Sequence, residues 1–460
     1  MSLTDQMDRR RWLSAAGMYS AAGICSAAGI CSAAALRPSA SAPRDTAPRR
    51  PRIAAVVTAF NYRSHAHVIL ENFLEPYYFN GQVTESGMDV VSLYVDQFPA
   101  GADMSRDAAR KYGFTIYPTI AEALQCGGSE LAVDAVLSIG EHGDYPLDER
   151  GVKMYPRKRF FDEIVEVFRR SGRVVPLFND KHLSYRWDWS AEMMQVVSEL
   201  KIPFMAGSSV PLAQRRPMLE LPFGCVPREA VSLHSGPVEV YDFHALEVLQ
   251  SMVESRRGGE TGVVEIQQLE GDAVWQAAAE GRWNMELARA AMNADEKQDV
   301  ANLQDFVEPA DGMRHPVHAI LIRYRDGLRA TVLRIGNTSI RWKFACQLEG
   351  SAQPLAAAFH VGPWQNRNLF KALSHAIQQH IREKNAPYPA ERTHLVTGML
   401  AAAMDSRFEN HRLVETPQLN FGYEPRDFRA MREMGATWKI ITEDQPQPPG
   451  IEPGGPRPSR

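Results

Sequence analysis

The chain has 460 residues, 44% hydrophobic and 23% charged, which allows two or three domains and excludes a largely disordered or collagen-like protein. With 51 Lys and Arg against 55 Asp and Glu, a net charge of −4 gives no global pull toward nucleic acid or an anionic membrane. Five cysteines in this length also exclude a small disulfide scaffold.

Residues 1–42 differ from the rest. Arg9, Arg10 and Arg11 precede Trp12 and Leu13, and an Ala, Gly and Ser-rich run follows, uncharged as far as Leu36 and ending in Ala40-Ser41-Ala42 before Pro43. This is the layout of an export signal with a basic start, a weakly apolar middle and a small-residue cleavage site. Arg-Arg-x-Trp-Leu resembles the twin-arginine signal, with Trp12 where Phe is usual, and predicts a periplasmic or otherwise exported protein. A retained membrane anchor is the other reading, but Gly, Ala and Ser are poor hydrocarbon filler. Loss of 1–42, with its four Arg and two Asp, would take the charge to −6. No other stretch approaches a span, so no membrane span is expected after processing. Residues 43–51 read as a linker.

From residue 52, short apolar runs alternate with helical patterns. Strands are predicted at 53–58, 90–95, 115–117, 135–139, 174–178 and 203–207. Helices are predicted at 65–74, 105–112, after the capping pair Thr119 and Glu122, at 157–170 and at 189–200. Strands this apolar, each followed by a helix, predict a parallel sheet covered on both faces, with its ligand at the carboxyl ends of the strands. From about 213 the pattern changes. β-favouring runs at 262–269, 319–324, 330–335 and 340–347 lack a helix after each, and helices are expected at 244–254, 273–292, 368–384 and 393–403. The prediction is a Rossmann-like half over 52–212, then an α+β domain over 213–425 with an open, mostly antiparallel sheet. Residues 426–460 form a tail whose Pro-rich end, 445–460, is expected to be disordered.

Asp96 after the second strand, Ser105-Arg-Asp-Ala-Ala-Arg-Lys-Tyr-Gly113, Thr119-Ile-Ala-Glu-Ala-Leu124 and Val133-Asp-Ala-Val136 together resemble the N-terminal domain of the glucose–fructose oxidoreductase / inositol dehydrogenase family. The segment Leu177-Phe-Asn-Asp-Lys-His182 falls where that family has Glu-Lys-Pro, so the resemblance implies that Lys181 is its catalytic lysine. It also implies NAD or NADP as cofactor, a carbohydrate substrate and a homo-oligomer formed through the C-terminal sheet. One departure stands out. The family's turn after the first strand is Gly-x-Gly-x-x-Gly, whereas this chain has Thr58-Ala-Phe-Asn-Tyr-Arg63 with no glycine. Either Thr58, Arg63, Ser64 and the helix amides hold phosphate, or the pocket has lost its nucleotide. Asp96 either accepts from a ribose hydroxyl, which favours NAD, or simply starts a loop.

Hydride transfer from an alcohol needs a group that takes the hydroxyl proton. Lys181, between Asp180 and His182, suits that task if desolvated; otherwise it pairs with Asp180 at the surface. His244 and Asp242 are the second candidates, although the family's Asp-x-x-x-His is broken because Val240 stands four residues before His244. Gly140 and His142, after the fourth strand, are expected near the nicotinamide, or in an ordinary loop. Tyr185, Arg186 and Trp187 supply either a wall for a sugar face or inter-domain packing. His65-x-His67 and His315-x-x-His318 lack a third ligand at metal spacing, so no metal is expected. The leading reading is an exported NAD(P)-dependent sugar or polyol oxidoreductase. The alternatives are an NAD-dependent glycosidase and a non-catalytic sugar-binding protein on the same fold.

Overall fold

The computed structural model describes residues 49–294, 299–307, 316–336 and 342–453. The expected signal at 1–42 and His315 lie outside them. In chain order the first half runs β1 (Arg52–Val57), α1 (His65–Leu74), β2 (Tyr77–Phe79), β3 (Gln82–Thr84), β4 (Asp89–Val95), α2 (Ser105–Tyr112), β5 (Thr115–Tyr117), α3 (Ile120–Gln125), β6 (Ala135–Ile139), α4 (Arg157–Ser171), β7 (Leu177–Asp180), α5 (Trp187–Leu200) and β8 (Phe204–Gly207). Six strands pair in the order β5-β4-β1-β6-β7-β8, all parallel. β6 is buried at every residue because helices cover both faces, the reason its sequence is continuously apolar rather than alternating. α3 starts where its sequence says it should, with the Thr119 hydroxyl accepting from the Glu122 amide. The strand expected over 174–178 instead begins at Leu177, after Pro176, and continues to Asp180. β2 and β3 form a separate hairpin that the helical pattern did not announce.

The second half adds β9 (Gln214–Arg216), β10 (Pro227–His234), α6 (Val240–Val253), β11 (Val263–Glu270), α7 (Asp272–Ala279), α8 (Met285–Met292), β12 (His318–Tyr324), β13 (Arg329–Arg334), β14 (Lys343–Leu348), β15 (Leu355–His360), α9 (Asn366–Glu383), α10 (Ala390–Phe408) and β16 (Val414–Glu415). Eight strands pair as β16-β11-β12-β13-β10-β14-β15-β9, antiparallel except for β10 with β13. The single helix expected over 273–292 is two, because Asn284 caps a fresh start by accepting from the Leu287 amide. The outer sheet face is not bare: Leu287, Ala291 and Met292 of α8 and Val274 of α7 pack on Val231, Leu233, Leu333 and Ala345.

From Arg50 onward the chain is one compact unit. A continuous core runs from Phe178 and Met205 of the parallel sheet through Phe243, Leu246 and Leu249 of α6 and Leu395 and Met399 of α10 to Ile320 and Val332 of the second sheet. α6 and α10 thus lie between the sheets and bring the second half against the carboxyl ends of β7 and β8. The Pro-rich tail corrects the sequence reading over 445–453, where backbone carbonyls substitute for a side-chain core. Arg367 donates to the carbonyls of Pro448, Gly450 and Glu452, the Trp364 indole donates to the Gln445 carbonyl, and Ile451 is buried.

Candidate active site at the carboxyl edge of the parallel sheet

β6, β7 and β8 end at one level, and the residue or two beyond each strand turns inward. β7 delivers Lys181 in a left-handed backbone conformation (φ 68°), which aims its side chain at the N-terminus of α6. Its Nζ lies 3.1 Å from His244 Nε2 and donates to the Val240 carbonyl at 3.1 Å. The structure therefore brings Lys181 and His244 together although 62 residues separate them in the chain. The Lys181 ammonium can only donate, so His244 Nε2 carries the lone pair facing it, and Nδ1–H donates to Ser208 Oγ at 2.7 Å. Burial first, and the Lys181 charge second, push the His244 pKa well down, so its imidazole is neutral.

Lys181 is only 2% exposed, so the reading of a surface pair with Asp180 is excluded. Asp180 turns the other way and bonds His65 Nδ1 at 2.6 Å. The partner of the Lys181 charge is Glu141, whose Oε1 is 3.7 Å away and whose other oxygen accepts from Arg157. Burial opposes ionisation of Glu141, but the Lys181 and Arg157 charges outweigh it and hold the carboxyl well below its ordinary range. Arg157 also reaches His182, and Glu239 Oε1 stands 3.0 Å from His182 Nε2. Gly140 belongs to this construction as a space-maker rather than as a cofactor contact. A Cβ there would sit 2.7 Å from Arg157 Cγ, so glycine lets the arginine stem pass.

Asp242 does not join Lys181. Its Oδ1 accepts from Nε2 of His234 and His318 at 2.8 and 2.7 Å, and its Oδ2 accepts from the Glu239 amide at the cap of α6. The broken Asp-x-x-x-His spacing accounts for this: two residues before His244 on a helix is the wrong face. The ligand atoms of His234, Asp242 and His318 lie within 4.8 Å of one another, so His318 has the third partner that no local spacing revealed, and these residues could hold a metal ion. The two Nδ1 atoms have no partner, whereas metal-bound imidazoles ordinarily anchor that nitrogen. As the side chains stand, the carboxylate is saturated and pins α6. His65 and His67 do not converge either, because His67 Nδ1 accepts from the Arg63 amide.

The turn after β1 is closed by its own side chains. Thr58 donates to the Glu141 carbonyl at 2.6 Å. Ser64 caps α1 by accepting from the His67 amide, and the His65 amide is 3.3 Å from His142 Nδ1. Burial, then the neighbouring His65, pushes His142 down to about 4. Arg63, left-handed at φ 63°, donates to Asn366 and Gln365, and the Tyr62 hydroxyl donates to the Pro448 carbonyl. Asp96 is also engaged, by the hydroxyls of Tyr94 and Tyr145 and by Arg159. Burial opposes its charge, but these hydrogen bonds prevail and hold its pKa below the ordinary value.

Tyr185, Arg186 and Trp187 line a cleft of about 640 Å³ together with Asp148, Arg150 and Asp405. Within it Arg186 pairs with Asp188, while the Trp187 ring stacks on His394 at 4.4 Å, so the expected wall is half packing and half cleft. Arg150 and Tyr185 also line a gap of about 10 Å³, room for one water, whose other walls include His182 and Glu239. A polar path therefore leads from the cleft through Glu239, His182, Arg157 and Glu141 to Lys181. Sequence reasoning missed Glu141, Arg157 and Glu239. One signal for Arg157 was available: it shares the helical stripe of Phe161, Ile164 and Phe168, where a lone charge needs a buried partner.

Together the sheets define a two-part α/β and α+β architecture with a lysine–histidine centre where the halves meet. No protein-family model matches the chain, and no curated protein matches it. Solved structures do. A myo-inositol dehydrogenase from Lactobacillus casei, in complex with NAD(H) and myo-inositol, is similar over 83% of this chain and 100% of its own, with 13% identity and a TM-score of 0.52. A scyllo-inositol dehydrogenase from the same organism covers 80% and 99% at 11% identity, TM-score 0.48. A myo-inositol 2-dehydrogenase from Lactobacillus plantarum covers 80% and 99% at 11% identity, TM-score 0.47. The fold is thus that of the inositol dehydrogenases, as the motifs between Asp96 and His182 implied.

Proposed function

We propose that this chain is a nicotinamide-dependent oxidoreductase acting on a sugar, polyol or glycoside hydroxyl. The observation that carries the reading is the 3.1 Å contact between Lys181 Nζ and His244 Nε2 at the carboxyl edge of the parallel sheet. The fold it sits on is shared with a myo-inositol dehydrogenase solved with NAD(H) and its polyol. Two of the three regions that would touch the cofactor suit it: Asp96 lies just past β4, as a ribose-binding acid would, and favours NAD, and Lys181 and His244 lie at the hydride end. The third, the turn after β1, offers a pyrophosphate room only when Arg63 releases Gln365 and Asn366 and Tyr62 releases Pro448. The bound nicotinamide would take up the hydride leaving the carbinol carbon. Lys181, as the amine, would take the proton of the substrate hydroxyl, and the neutral His244, 3.1 Å away, orients it. Glu141 and Arg157 hold the lysine in place.

Native mass spectrometry of the purified protein, with calorimetry of added NAD and NADP, tests this. A co-purifying or titratable nucleotide supports the reading, and no binding of either sinks it. The closed turn favours a second reading, a non-catalytic sugar-binding protein on the same fold, which predicts binding of sugar without nucleotide. A glycosidase using the same centre would turn over with no net cofactor reduction.

Export and self-association extend the proposal. The Arg9-Arg10-Arg11 segment supports twin-arginine export, tested by fractionation of cells carrying Arg9, Arg10 and Arg11 replaced by lysine. No helix among the described residues is long and apolar enough to cross a membrane. Copies joined through the outer face of the second sheet would meet at α7 and α8, which light scattering of the purified protein would test.

A further inference from the structure

A second cavity, of about 320 Å³, lies at the other end of α6 from Lys181. It is lined by Arg215 after the parallel sheet, by Glu254 and Ser255 at the end of α6, and by Arg426, Arg429 and Arg432 of the C-terminal segment. Leu221, Pro222, Phe223 and Phe428 give it an apolar flank. Arg215 and Arg432 are buried, at 3% and 1% exposure, yet each leaves its Nε–H without a partner. One carboxylate, Glu220, serves both guanidinium groups. Arg392, directly behind, is spent on Glu254 but keeps an unpartnered Nη1, Arg429 is spent on Asp427, and Arg426 donates only to the neutral Asn385 and Ala386. Five cations therefore gather around three carboxylates at this cavity, and the Nε–H groups of Arg215 and Arg432 are buried without an acceptor.

Buried guanidinium donors without acceptors are costly and rare, and an excess of buried positive charge asks for an anion. The C-terminal carbonyls of α6 would repel one, but Arg256 donates to the Val253 carbonyl and offsets that end of the helix. We infer that this cavity is a binding site for the oxyanion of a small organic ligand, a carboxylate or a phosphate, with Arg215 and Arg432 as its fork and Phe223 and Phe428 against the ligand's apolar part. Guanidinium forks match such planar or tetrahedral oxyanions in geometry as well as charge. The electrostatics agree: burial first and then the Arg392 charge push Arg215 down to about 9, and burial and then Arg215 push Arg432 down to about 9. A bound anion would relieve both.

The test is calorimetry of the full-length protein in low-salt, phosphate-free buffer with inorganic phosphate, glucose 6-phosphate, glucuronate and, as the neutral control, glucose. One-to-one binding of a phosphate or carboxylate probe, undiminished by saturating glucose, is expected, and the tighter class identifies the oxyanion. Arg432→Gln should weaken it about tenfold or more. Arg426→Ala, at the rim, gives a second variant that does not touch the buried pair and should weaken it by a smaller factor. Lys181→Met should leave it unchanged, which separates this site from the proposed oxidoreductase centre. Absence of binding by all three anions at about 10 mM, or equal binding by wild type and both folded arginine variants, overturns the inference.

Discussion

The turns after β1 and β7 sit at the same edge of one parallel sheet and are filled in opposite ways. After β1 the contacts are hydrogen bonds to neutral acceptors: the His67 amide donates to Ser64, the Tyr62 hydroxyl to Pro448 and Arg63 to Gln365 and Asn366, the last three acceptors three hundred or more positions away. After β7 they are charges: Lys181, Glu141 and Arg157 in contact, at most 7% exposed by side chain, with His182 and Glu239 completing the chain. Exposed hydrogen bonds of the first kind open at modest cost, whereas a buried ionic set resists the loss of any member. The difference separates a region that can rearrange to admit a ligand from one that is preorganised for proton chemistry.

Four experiments would break or sharpen that contrast. The largest effect is expected from Lys181→Met: turnover with a sugar or polyol falls between about a hundred- and ten-thousand-fold while the fold persists, and unimpaired turnover removes Lys181 from the chemistry. Arg157→Met leaves Glu141 with Lys181 alone and should cost about 3–5 kcal/mol in denaturant unfolding, so a loss near zero would deny the ionic set its structural weight. Acidification comes next. Burial pushes His142, His375, His380 and His394 each down to about 4. The unfolded chain, with histidines near about 6.5, then binds protons first, and stability present above that value is lost as pH falls toward 4. Glu247, pushed up to about 7 by burial, works in the opposite direction over 4.5 to 7 but is one group against four. Unfolding midpoints should therefore fall between pH 7 and 4.5, and a flat or rising profile contradicts this. The smallest effect belongs to the turn after β1: Tyr62→Phe with Arg63→Ala removes the contacts to Pro448, Gln365 and Asn366 and should tighten NAD binding several-fold in calorimetry. Weaker binding would mean that these side chains hold the nucleotide rather than bar it.

Much of the parallel half was legible because its signals are local. The apolar run 53–58, the Thr119 cap and the stripe from Phe160 to Phe168 each mark an element within a turn or two of itself. The second sheet was harder. β10 carries Arg228 and Glu229 among its apolar residues, and half of β15 is alanine, so neither alternates clearly. Of the site, Lys181 and His244 were found by position in the motif order. Asp242, expected beside them, went instead to His234 and His318, partners supplied by two strands of the other sheet.

By itself the sequence determined the alternation of strand and helix, the absence of glycine after β1 and the placement of Lys181 at a strand's carboxyl end, all consequences of local sterics and periodicity. Which charges meet was decided only by tertiary structure. Lys181, Glu141, Arg157 and Glu239 come from four segments, and their pairing exists because packing removes the water that would otherwise keep them apart.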